Sequence, residues 1–355
     1  VSVADRLGTS LVNVHNEWDP LEEMIVGSAD GARVPAPDRG LFTIDYAEYL
    51  GDESEIPTGR HQQRVIEEAN EDLEGLVEVL RSHGVVVRRP APTDFSRPFG
   101  TPDWHTDGQF SYCPRDLLLT VGDTVIETPQ PLRARYFEAF AYREILHDYF
   151  EGGANWISAP KPRLPDETYD LDSDGAPVLN NLEPVFDAAN VIRLGRDILY
   201  LLSCSGNMLG YQWLQRALGP EYRVHPIPGI YDGTHIDTTV TLVRPGLVVL
   251  NPERIGRDQV PSVFEDWDLI WCPEPVDIGW VGPFPMATIW QAMNFIMVNP
   301  ELAIVDEHQA PLIRELERHD VDVLPLPMRH ARTLSGGFHC VTLDVRRKGS
   351  LESYV

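Results

Sequence analysis

The chain has 355 residues, enough for one large domain or two ordinary ones; 43% are hydrophobic and 24% charged, so a substantial core is available and disorder is not expected. A net charge of −26, spread along the chain, excludes nucleic acid as a partner, because phosphate binding needs clustered Lys and Arg. The same field would draw in a cationic small molecule.

Lysine occurs only at Lys161 and Lys348, which disfavours lysine-based covalent chemistry. The four cysteines, Cys113, Cys204, Cys272 and Cys340, are too widely spaced for a disulfide framework or a zinc knuckle. The opening VSVADRLGTS has no apolar signal region, and no run approaches the roughly 18 apolar residues of a membrane span. A soluble protein in a reducing, cytoplasmic compartment is the expectation, and there a thiol stays available for reaction.

In chain order, the first clear element is 65-VIEEANEDLEGLVEVLRSHGVVVRRPAP-92. Its apolar residues recur at helical spacing, Gly84 stops the helix, and Val85 to Val87 read as a strand that runs into prolines. The pattern returns, more weakly, at 211–228, 262–275 and 312–327. A second class of strand comes between, at 116-DLLLTV-121, 197-DILYLL-202, 246-GLVVLN-251 and 302-LAIVDE-307. The Pro/polar stretch 159–177 reads as a long loop inside a single domain spanning 1–355. Each unit reads strand, helix, strand, and units that cannot bury their faces alone must pack on one another. Their uneven period disfavours a solenoid and favours a closed ring of α/β modules with chemistry at its axis. A doubly wound sheet is the alternative, although no G-x-G-x-x-G or P-loop turn follows a first strand.

Residues able to carry chemistry lie at the junctions. In 334-LSGGFHCVTLDVRR-347, Gly336 and Gly337 permit close backbone approach just before Cys340, as loops presenting nucleophiles do; an inert buried cysteine is the other reading. In 229-GIYDGTHIDTTV-240, His235 and Asp237 would point to one face of a strand, either as an exposed polar face or as an acid/base beside a charge-binding carboxylate. Asp187, in 183-EPVFDAANVIRLGRD-197, reads as a turn or N-cap aspartate, Asp116 as the cap of a strand, and Arg254 as a solvated arginine after an Asn-Pro turn. No H-x-x-x-H, H-E-x-x-H or G-x-S-x-G occurs, so neither a metal site nor a serine hydrolase is expected.

Together, S-G-G-F-H-C-x-T-x-D-V-R-R, F-D-A-A-N, T-H-I-D and P-R-D resemble the amidinotransferase family. The likeness runs from 13-NVHNEWDPLEEMIVG-27 to 353-SYV-355; 101-TPDW-104 and the ending R-R-x-G-x-L-E-S-Y look closest to its inosamine-phosphate branch. The resemblance implies a five-bladed α/β propeller of pseudo-fivefold symmetric strand–helix–strand modules around a central active site. It implies Cys340 as nucleophile, His235 as general acid/base and Asp187 as the carboxylate that orients the histidine. Asp116 and Asp237 would grip the guanidinium of L-arginine, Arg254 would pair with its α-carboxylate, and Thr288, a looser match, would touch that carboxylate too. The loop 229-GIYDG-233 departs from the glycine-using enzymes, which disfavours glycine as acceptor.

The implied activity is ping-pong transfer of an amidino group from arginine, through an amidino-cysteine, to an amine such as scyllo-inosamine 4-phosphate, with ornithine released and no cofactor. Alternatives are an arginine:glycine-type enzyme, an arginine deiminase-type hydrolase and, against the presence of Cys340, His235 and Asp187, a non-enzymatic arginine-binding scaffold. Family members are often dimers, and the sequence fixes no interface.

Overall fold

The computed structural model describes residues 10–355. Five three-stranded sheets form its frame, all built on one plan. In each, a first strand pairs antiparallel with a second; a connection then crosses over and brings in a third strand parallel to the second. Val191–Leu194, Asp197–Leu201 and Arg223–Ile227 illustrate this, with helix Met208–Leu218 as the crossover. The first two strands of that unit are buried throughout, so they read as near-continuous apolar runs without alternation. Crossover helices are amphipathic: Gln63–Ser82 buries Val65, Ile66, Ala69, Leu73, Leu76, Val77 and Leu80 and leaves its Glu-rich face to water.

The expected order of elements holds in three units and needs amending in two. Helix–strand pairs occur where the repeat placed them at 63–88, 208–227 and 310–326. At 262–275 the helix shrinks to a single 3-10 turn, Ser262–Phe264, before strand Asp268–Trp271; Pro261 and the acidic run that follows leave too few apolar positions for a longer helix. The repeat also missed a fifth unit, in which helix Arg143–Glu151 feeds strand Asn155–Ser158. The stretch 116–121 divides into a helical turn, Pro114–Leu117, and a first strand, Leu118–Val121. Its counterparts at 197–202, 246–251 and 302–307 are second strands.

The long loop at 159–177 carries a short hairpin, Tyr169–Leu171 against Pro177–Leu179. Tyr169 anchors it, donating from its hydroxyl to the Pro131 carbonyl at 2.6 Å.

One sheet draws on both chain ends. Thr342–Arg347 supplies its first strand, Leu21–Val26 its second and Val86–Arg88 its third. The C-terminal strand is thus clamped to the N-terminal one, and the turn carrying Cys340 sits directly ahead of it. No helix among the described residues is long and apolar enough to cross a membrane.

Candidate active site

The chemistry-bearing side chains share one structural address. Cys340, Asp116, Asp187 and Asp237 each lie two to four residues ahead of the first strand of a different unit, the strands that begin at Thr342, Leu118, Val191 and Val240. The remaining unit places Asn294 at the same address, ahead of Ile296–Asn299. A tight helical turn precedes each strand, and the five turns bring their side chains together.

Cys340 is 2% exposed, yet it is not walled off among apolar groups. Its sulfur, the His235 ring and a carboxylate oxygen of Asp116 all lie within 4.8 Å of one another. Asp237 Oδ2 stands 4.0 Å from Sγ. Asn294 holds the cysteine at two points: its Oδ1 accepts from the Cys340 backbone N–H at 3.0 Å and its Nδ2 donates to Sγ at 3.1 Å. Because the backbone contact demands an acceptor, the amide orientation is fixed and the sulfur receives an N–H.

This grip accounts for the paired glycines. A Cβ on Gly337 would lie 2.8 Å from Asn294 Oδ1, and one on Gly336 would lie 2.7 Å from Cys113 Sγ. Neither residue tolerates a side chain.

His235 and Asp237 do not share a strand. His235 has φ +67° in a loop, and strand Val240–Arg244 begins five residues later. A left-handed residue followed by the turn 236–239 aims both side chains inward, which period-two alternation could not foresee. His235 Nε2 meets Asp187 Oδ2 at 3.0 Å, and Nδ1 lies 3.7 Å from Asp116 Oδ1. Burial works against the imidazolium, but Asp116 and Asp187 outweigh it and lift the pKa well above the usual histidine value. Asp187 does sit at the N-cap of the turn Ala188–Asn190, but its side chain makes no capping bond and serves the histidine instead.

Asp116 turns Oδ2 to Arg135 at 2.6 Å, while Oδ1 is buried without a hydrogen-bond partner; Asp187 Oδ1 is likewise buried and unpartnered. Two such oxygens in one pocket are open acceptors for a cationic ligand. Asp237 is held by Arg115, which is wholly buried, at 3.3 Å, and by His339 Nδ1 at 3.2 Å. Although burial opposes it, the Arg115 charge and then the His339 contact depress the Asp237 pKa and keep it ionised. In P-R-D, therefore, the arginine props one carboxylate while the neighbouring aspartate supplies another.

Arg254 and Thr288 form a second cluster, joined to the first through Thr238 beside Asp237. Arg254 Nη1 donates to Thr238 Oγ1 at 2.6 Å and Nη2 to Thr288 Oγ1 at 3.3 Å, while the guanidinium lies 3.5 Å over the Tyr231 ring. The departing loop 229–233 thus covers the arginine.

Sequence reasoning missed Asn294, which only its repeat position could have indicated, and Asp45. Asp45 sits in the short π-helical segment Phe42–Tyr46 and lines the pocket with Asp116, Asp187 and His235; burial pushes its carboxyl up to about 7. The Asp116–His235–Cys340 trio also has donor types that a zinc ion accepts, a grouping that the linear spacing behind the expectation of no metal could not reveal.

A thiol flanked by an imidazole and several carboxylates defines a cysteine-based centre suited to a cationic carbon electrophile. No family model matches the chain. It is 55% identical to inosamine-phosphate amidinotransferase 1 of Streptomyces glaucescens over 345 residues, 97% of this chain and 99% of that one. It is 36% identical to the L-arginine:L-lysine amidinotransferase of Pseudomonas savastanoi pv. phaseolicola over 366 residues, 98% of this chain and 97% of that one. The solved inosamine-phosphate amidinotransferase of Streptomyces griseus superposes with a TM-score of 0.95 at 53% identity, covering 98% of this chain and 99% of that one. The chain belongs to the amidinotransferase family and is an enzyme.

Proposed function

We propose that the enzyme moves the amidino group of L-arginine to the amine of an inosamine phosphate by way of an amidino-cysteine on Cys340. The observation that carries this reading is a nucleophilic sulfur set among the carboxylates of Asp116, Asp187 and Asp237. Burial, and then the charges of Asp116 and Asp237, hold the proton on that sulfur. Such a site gains reactivity when a guanidinium arrives to neutralise the carboxylates. The relatives, an inosamine-phosphate and an L-arginine:L-lysine amidinotransferase, supply the donor and acceptor classes.

In the first half-reaction, Asp116 and Asp237 hold the guanidinium, whose charge lets the Cys340 thiol lose its proton to solvent, and the resulting thiolate adds to the central carbon. The C–N bond to ornithine breaks as the His235 imidazolium, steadied by Asp187, gives the departing nitrogen its proton. The amidino group stays on sulfur as a cation and His235 is left neutral. In the second half-reaction a neutral acceptor amine attacks that carbon, His235 takes the proton, and the C–S bond breaks to return the thiolate. Arg254, with Thr288, pairs with the arginine α-carboxylate.

The same proposal has the five units arranged as the blades of a propeller about this site, one catalytic domain over 1–355, a homodimer as the assembly and the cytoplasm as the compartment. Mass spectrometry after mixing with arginine alone tests the chemistry. Expected are one amidino adduct on Cys340, one equivalent of ornithine, and neither in Cys340→Ser. Citrulline formed without an acceptor would make the enzyme a hydrolase.

A further inference from the structure

A short ladder beside the pocket places like charges opposite one another. Arg33–Val34 pairs antiparallel with Gly59–Arg60, and the register sets Arg33 directly across from Arg60. Two facing cations destabilise a ladder unless an anion lies between or beside them. The pairing is the more notable in a chain with 55 acidic and 29 basic residues.

Part of this positive charge is unspent. Arg33 Nη2 meets Asp107 Oδ2 at 2.8 Å, but its Nε is buried with no partner. Arg60 and the ring of the adjacent His61 have no hydrogen-bond or ion-pair partner among the described residues. Arg33 and His61 line the same cavity as His235, Asp116 and Asp187. Arg60 and His61 line a second, more exposed cavity, which shares Val34, Tyr46, Met286 and Thr333 with the first. The two cavities thus adjoin at this hairpin, and the first also holds the His235 imidazole. An unused guanidinium N–H, a second guanidinium and an imidazole suit a phosphate monoester.

We propose that Arg33, Arg60 and His61 form the subsite for the phosphate group of the acceptor. This rests on the reading that the acceptor is a phosphorylated amine. The subsite supplies selectivity: it binds the remote phosphate, so that the amine arrives oriented at the amidino-sulfur.

The test compares scyllo-inosamine 4-phosphate with unphosphorylated scyllo-inosamine, by calorimetric binding and by kcat/KM with arginine as donor, in the wild type, Arg33→Gln and Arg60→Gln. Losing one charge-assisted contact is expected to cut the preference for the phosphorylated acceptor by about 10- to 100-fold in each variant. Inorganic phosphate should compete with the phosphorylated acceptor in the wild type and lose that effect in the variants. Arg60→Gln removes no internal contact, so it stays informative should Arg33→Gln unfold by stranding Asp107. Equal losses for both acceptors, or no loss for the phosphorylated one, overturn the subsite. If the wild type binds the phosphorylated acceptor selectively and the variants do not, yet no amidino-cysteine forms, the subsite stands and amidino transfer falls.

Discussion

Burial, followed by the carboxylates of Asp116 and Asp237, keeps the Cys340 thiol protonated, whereas the His235 contact and the Asn294 amide pull the other way. These opposed groups can be separated by one assay, the pH dependence of alkylation by a small neutral reagent. The midpoint should rise in His235→Asn and in Asn294→Leu, since each removes a group that favours the thiolate. It should fall in Asp237→Asn, which removes a charge that disfavours it, although arginine turnover in that variant drops. A shift of one pH unit corresponds to about 1.4 kcal/mol. An unmoved midpoint in Asn294→Leu would reduce that residue to a structural prop for the Cys340 backbone. Because a guanidinium neutralises the carboxylates, arginine binding to the wild type should also release a proton near neutral pH, seen as a buffer-dependent heat of binding.

The element that decides the site is the short turn ahead of each first strand. Five such turns present Cys340, Asp116, Asp187, Asp237 and Asn294, and the one that carries Cys340 is tight because its neighbours leave no room. Gly337 is the sharpest case, since a methyl group there would press on both the side chain and the backbone oxygen of Asn294. Gly337→Ala is expected to cost about 1–3 kcal/mol of stability through overpacking. It should lower activity further by displacing the Asn294 contact with the sulfur. Thermal denaturation and turnover measured side by side check both parts; a variant with wild-type values for both would remove the steric account of the paired glycines.

At the scale of the molecule, a net charge of −26 surrounds a pocket that holds several carboxylates. Long-range attraction of a cationic donor is screened within a Debye length, about 10 Å at 0.1 M salt. Raising ionic strength from low to physiological should therefore lower kcat/KM for arginine several-fold while kcat at saturation changes little. The phosphorylated acceptor meets the opposite field, so its capture depends on the local cations at Arg33 and Arg60. Its kcat/KM should fall far less with salt, or rise. Parallel salt dependence for the two substrates would count against this division of labour.

The sequence by itself determined the alternation of amphipathic helix and apolar strand, because burial periodicity is a local property, and it determined the residue types at the site through motifs tied to particular chemistry. The unit at 143–158 escaped notice because its helix is short and its strand, 155-NWIS-158, is half exposed and weakly apolar. Only the tertiary structure decided that His235 reaches inward through a left-handed residue, that Arg115 props Asp237 across 122 positions of chain, and that Asn294 grips the sulfur. Those contacts join turns from separate units, and no local pattern of spacing can encode a distance that arises only once the units have packed together.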